Sequence, residues 1–125
     1  MHSKENMIYS VHSQQGIIGT TLLAARDPSI AVAWGAFSPS AAFASVREVF
    51  AIFAAAINNH DQLADHGLMR HYYQQRDALG LRLVNEQGRV FPTTAIHIEL
   101  ADPEDDLFDV TVFFADTSFF EQPAS

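Results

Sequence analysis

The stretch LGLRLVNEQGRVFPTTAIHIEL, residues 79–100, decides the fold class. Leu79, Leu81 and Leu83 alternate with Gly80 and Arg82, the period of a strand with one apolar face. Asn85-Glu86-Gln87-Gly88 follows as a hairpin turn, with Gly88 at the position that needs a left-handed backbone. On the returning strand Val90, Pro92, Thr94, Ile96, Ile98 and Leu100 share one face, while Phe91, Thr93, Ala95, His97 and Glu99 share the other. Pro92 has no N–H to give to a ladder, so that end of the strand is restricted to an edge or a bulge. Further on, Phe108, Val110, Val112 and Phe114 define another alternating run. The last third therefore reads as a meander of three strands.

Working back toward the N-terminus, residues 60–78 predict a second, less regular helical region. Leu68, Met69, Tyr72 and Tyr73 recur at helical spacing, with Arg76 and Asp77 after them. Gly67 costs about 1 kcal/mol inside a helix and divides this one. Ahead of it, Ser38-Pro39-Ser40 reads as a helix start. Phe43, Val46, Val49, Phe50, Phe53 and Ile57 then form one stripe, which predicts a long amphipathic helix to about Asn58-Asn59. Its back carries Ala44, Ala51, Ala54 and Ala55 with Arg47 and Glu48.

The first 37 residues read as three strands. Residues 7–24 hold two, turned at Gln14-Gln15-Gly16, with Gly16 and Gly19 alternatively marking a bulge. Asp27-Pro28-Ser29 is a turn, and Ile30 to Phe37 forms the third strand with Ile30, Val32 and Trp34 on one face. The expected fold is α+β over one domain, residues 1–125. A mainly antiparallel sheet of about five to six strands carries the long helix and the second helical region on one face.

Composition narrows the function classes. The chain has 125 residues, 48% of them apolar, with six histidines and no cysteine. A chain this long buries about two-thirds of its unfolded surface, so its core needs no metal or disulfide. The lack of Cys excludes disulfide scaffolds, zinc ribbons and thiol nucleophiles. No apolar segment follows Lys4, and the most apolar stretch, Ala41 to Ile57, is interrupted by Arg47 and Glu48. Neither a secretory signal nor a membrane span is expected, and the expected location is cytoplasmic.

The formal charge of −8 argues against binding nucleic acid. It is also localised. Residues 1–98 hold all seven basic residues and seven acidic ones, so they sum to zero. Residues 99–121 hold Glu99, Asp102, Glu104, Asp105, Asp106, Asp109, Asp116 and Glu121 with no basic residue. Two candidate sites follow. Asp102, Glu104, Asp105, Asp106, Phe108 and Asp109, with Phe113, Phe119 and Phe120 among them, have the composition of a docking surface for a basic protein. An inhibitor or immunity-type protein that neutralises a cationic toxin or nuclease is one version of this non-enzymatic reading.

The rival site places His97 and Glu99 on one strand face, Arg82 on the adjoining strand and Asp109 or Thr111 on the next. Such a row suits a small enzyme or a small-ligand domain, and equally the wet side of a sheet. A structural homodimer through the alanine face or a sheet edge is a third reading.

Other motifs are silent. His60, His66 and His71, with Asp61 and Asp65, are spaced by six and five, which points them to different helix faces, so no metal site is expected. The acidic loop 102–106 lacks the Gly and Glu of a calcium hand. Gly16-Ile17-Ile18-Gly19 has no Lys after it for a phosphate loop. Ser38, Ser40 and Ser45 have no nearby His, and no nucleophile elbow occurs. No cofactor is expected.

Overall fold

Residues 7–14, 16–51, 65–102 and 107–121 are described by a computed structural model. β1 (Tyr9–Ser13) turns into β2 (Gly16–Thr21), and Gly16 takes φ 123° in that turn, a backbone open to glycine. β3 (Ala25–Asp27) leads through a 3-10 turn at Pro28–Ile30 into β4 (Val32–Pro39). Asp27 caps that turn by accepting from the Ser29 N–H at 3.1 Å. A 3-10 turn at Ala41–Ser45 and helical residues 47–51 come next. After α1 (Asp65–Ala78) come β5 (Arg82–Val84), β6 (Val90–Phe91), β7 (Thr93–Asp102) and β8 (Leu107–Phe114). A last 3-10 turn spans Ser118–Glu121.

Among the described residues all eight strands belong to one sheet, and every pairing is antiparallel. Its order is β6-β5-β1-β2-β4-β8-β7, with β3 also on β4. The two ends of that path, β6 and β7, are separated in sequence by Pro92 alone. A sheet whose first and last strands are joined by one residue must curl until its edges meet. β6 and β7 act as one strand broken at Pro92, and β2 and β3 as one strand broken at a bulge. Six strands therefore ring a filled, barrel-like core.

The bulge is visible in the register. Thr21 opposes Phe37 and Ala25 opposes Trp34, so Leu22, Leu23 and Ala24 face only Gly35 and Ala36. Leu23 takes φ 49° there, and a Cβ on Gly35 would meet the Ala24 nitrogen at 3.2 Å. Gly19 is tighter still. A Cβ there would fall 2.2 Å from the Phe37 ring and 2.6 Å from the Ser38 carbonyl. Gly19→Ala is therefore expected to lose about 1–3 kcal/mol of unfolding free energy in urea. An unchanged midpoint would mean that the Phe37 ring has room to retreat.

One continuous inner face carries Tyr9, Val11, Leu23, Ala33, Phe37, Leu83, Phe91, Ile96, Ile98, Phe108, Val110, Val112 and Phe114, all buried. Phe108 and Phe114 stand at opposite ends of β8, about 20 Å apart at the usual strand rise. Each end has an aromatic stopper. Phe43 packs on Phe37 at 5.5 Å and Phe108 at 5.1 Å between ring centres. Phe119 packs on Tyr9 at 5.1 Å, Phe91 at 5.5 Å and Phe114 at 4.5 Å.

This architecture corrects the expected α+β fold. The described residues form mostly one antiparallel sheet, its eight strands carrying neither the expected long amphipathic helix nor a second helical region packed on one face. The predicted long helix starts instead as a 3-10 turn, with successive bonds from Phe43 to Ser40, Val46 to Phe43 and Val49 to Val46. An apolar spacing of three suits a 3-10 winding as well as an α-helix, so Phe43 and Val46 are buried in either form. Phe53 and Ile57 lie outside the described residues. α1 is the only helix of seven or more residues among those described, and it is no packed layer: from Arg70 onward only Tyr72 is fully buried.

On β4, Trp34 is exposed while Ala33 and Phe37 face the core, and Ile30 lies in the 3-10 turn ahead of the strand. One face assignment is corrected. Phe91 and Ile96 both point inward, because the register shifts between Thr93 and Ala95 beside Pro92. No helix among the described residues is long and apolar enough to cross a membrane.

Candidate functional site

His97 points away from the inner face, because its neighbours Ile96 and Ile98 point into it. It pairs with Thr111, which pairs with Trp34, which pairs with Ala25. This outward row crosses β7, β8, β4 and β3. One step along, Glu99 opposes Asp109 and Asp109 opposes Ala36, with both carboxylates exposed.

α1 meets the row through Tyr72 and Arg76, which are four residues apart and so share a helix face. The Tyr72 ring stands edge-on to His97, 5.6 Å between centres and 88° between planes, and its hydroxyl is hydrogen-bonded to Nδ1. The Arg76 guanidinium lies 5.5 Å from the Tyr72 ring centre and 5.0 Å from that of Tyr73. It also bonds the Asp77 carboxylate at 3.1 Å.

Burial pushes His97 down to about 4, and the nearby Arg76 charge adds to the effect. Burial likewise pushes the Tyr72 phenol up to about 12, against the opposing pull of Arg76. Both are neutral near pH 7. The imidazole nitrogen is the stronger base of the two, so the phenol donates to Nδ1 and the ring proton is assigned to Nε2. Groups titrating near 4 and 12 are poorly matched to proton transfer at neutral pH.

Beside this pair lies a cleft of about 430 Å³ between α1 and the outer side of β7 and β8. Tyr72, Tyr73 and Arg76 line it from the helix, and Thr94, Ala95, His97, Thr111 and Phe113 line it from the strands. That size lies within the usual range of small-ligand sites. Its fixed cation, aromatic walls and hydroxyls suit binding.

The expected row of His97, Glu99, Thr111 and Asp109 is thus brought together, but Arg82 is not part of it. Arg82 sits on β5 opposite His12 of β1, where its charge, after burial, helps hold His12 below the usual range. The break at Pro92 sends β6 to β5 and β7 to β8, so Arg82 and His97 no longer share adjoining strands. Arg76 supplies the guanidinium instead. Its four-residue spacing from Tyr72 was the available signal, although nothing in the sequence ties that helix face to His97.

The acidic-aromatic segment is divided. Phe108 is buried under Phe43, with the Arg47 guanidinium 5.5 Å from its ring centre, and Phe119 is fully buried. Neither is a surface anchor, because both stop the ends of the core. Phe113 does face outward, 40% exposed. Trp34, 42% exposed and diagonal to it across β4 and β8, is a second outward aromatic ring. Asp102 ends β7, Asp109 is exposed on β8, and Glu104, Asp105 and Asp106 lie outside the described residues. His60 and Asp61 lie outside them too, and among the described residues no three His, Asp or Glu are placed to hold a metal ion.

Comparison of the chain with protein-family models, with curated proteins and with solved structures found no match in any of the three.

Proposed function

We propose that this chain is a protein-interaction module that captures a basic partner on the outer face of β4, β8 and β7. The observation that carries the reading is one face holding two exposed aromatic rings, Trp34 and Phe113, next to the facing carboxylates Glu99 and Asp109. Like charges directly opposite on a ladder oppose folding, and a partner's cation relieves that repulsion. Exposed aromatic rings rimmed by charge are the usual anchors of an interface. Leu107, 55% exposed on the same side of β8, extends the apolar area. In sequence, Glu104, Asp105 and Asp106 fall between the same two strands. Neutralisation of a cationic toxin or nuclease in the cytoplasm is the concrete form of this reading.

Immobilised chain tests it in an extract of the source cells. Trp34→Ala is expected to cut capture of a cationic protein by roughly tenfold or more, as loss of an aromatic hot spot does. Glu99→Gln with Asp109→Asn is expected to slow association and flatten its salt dependence. Stability should change by no more than about 0.5 kcal/mol for these surface positions. Identical captured proteins for wild type and both variants would overturn the reading.

A further inference from the structure

The cleft beside α1 shares Phe113 with the docking face, but Arg76 and Tyr73 give it chemistry that face does not use. Among the described lining residues Arg76 is the one fully charged group, and none carries a carboxylate. Its side chain is only 13% exposed, so its charge is largely withdrawn from water. Its partner Asp77 is the next residue along, with a side chain 66% exposed, and an ion pair of that kind is weak. A ligand oxyanion entering the cleft would meet a guanidinium already held over two tyrosine rings. Tyr73 and Phe113, 45% and 40% exposed, are the apolar walls open to a flat ring.

We propose that the cleft between α1 and β7–β8 binds a small aromatic carboxylate, its acid group on Arg76 and its ring between Tyr73 and Phe113. The volume of about 430 Å³ accepts one or two fused rings. Glu99 sits two residues beyond His97 on β7, on the side of the cleft away from Ala95. Glu99 is exposed and is not part of the cleft lining, so its repulsion of a bound anion is screened at physiological salt. A charge-assisted hydrogen bond to a largely desolvated guanidinium is worth roughly tenfold or more.

The probe is 2-naphthoate, with neutral 2-naphthamide as its match, followed by calorimetry and by NMR shifts of Tyr73 and Thr94. The acid is expected to bind roughly tenfold tighter than the amide. Arg76→Gln should remove that difference. Asp77→Asn, which takes away the competing carboxylate, should tighten the acid about twofold to threefold and leave the amide unchanged. A merely structural role for Arg76 would weaken both probes equally. Equal binding of acid and amide, no binding of the acid at millimolar concentration, or weaker acid binding in Asp77→Asn each overturns the proposal. Trp34→Ala lies outside the cleft and should leave naphthoate binding intact, so failure of the docking reading is told apart from failure of this one.

Discussion

Phe119→Ala is expected to lower the unfolding free energy by about 3–5 kcal/mol, the cost of deleting a fully packed aromatic side chain. Phe119 has no exposed surface and touches Tyr9, Phe91 and Phe114 from three separate strands, besides its neighbour Phe120. The Arg26 guanidinium covers it 4.6 Å from the ring centre, and Arg26 is itself held by a 2.9 Å bond from Nε to the Leu23 carbonyl of the bulge. The turn that carries Phe119 is fixed by Asp116, which accepts from the Ser118 N–H at 3.0 Å and hydroxyl at 2.7 Å. A ring held on every side cannot be replaced by local collapse, so the cavity would open the end of the barrel to water. A loss of this size in a chain of this length moves the melting temperature by about 12–20 °C. Phe119→Leu, which keeps most of the volume, is expected to cost under about 1.5 kcal/mol. A Phe119→Ala protein within about 1 kcal/mol of wild type would mean that something other than this ring closes the end.

Legibility in the sequence followed the range of the interactions involved. The turn at Asn85-Glu86-Gln87-Gly88 was readable because it is local, and Gly88 takes φ 85° there. The alternation of Phe108, Val110, Val112 and Phe114 was readable as one strand face, since a strand repeats every two residues whatever lies opposite. Pro92 was readable as a break, but not its consequence. A register shift reverses every side chain after it, so Phe91 ends up with Ile96 and not with His97. Which side Trp34 takes was not readable, because apolar residues fill both faces of β4 and only pairing with β8 decides which face is inside. Closure of the sheet was invisible, since it depends on β5 pairing with β1 across some 70 residues. For the same reason Phe108 read as a surface ring, although it lines the core beneath Phe43.

That split also explains why the candidate site was half legible. His97, Glu99, Thr111 and Asp109 sit on consecutive paired strands, where a hairpin fixes the register. Arg82 and Arg76 differ only in which distant strand their element reaches. Their placement follows from the ring closure, not from any local pattern. Charge counting located the acidity in residues 99–121, but not which aromatic rings accompany it at the surface. Trp34 comes from the neutral part of the chain and completes that face.

Acidification from pH 7 to 4.5 is expected to cost about 2 kcal/mol through His97. Its folded value is about 4 against an ordinary 6.5, so the unfolded chain takes up the proton first as pH falls. The contribution is whole above about 6.5, declines between 6.5 and 4, and is exhausted below. Complete burial would give more, and partial access to water reduces it. Tyr72 acts with the opposite sign. Its folded value of about 12 against 10.0 means that stability is lost as pH rises through that interval, again by about 2 kcal/mol. The pair is therefore most stabilising between about pH 6.5 and 10. Urea unfolding at pH 7 and 4.5 on wild type and His97→Gln isolates the effect, because the carboxylates titrate alike in both. The wild type is expected to lose about 2 kcal/mol more than the variant over that step. His12 is held low by burial and Arg82 and shifts both proteins equally. Equal losses would mean that His97 stays accessible to protons in the folded chain. A steeper wild-type loss would identify the buried contact between Tyr72 and His97 as the acid-sensitive joint between α1 and the sheet.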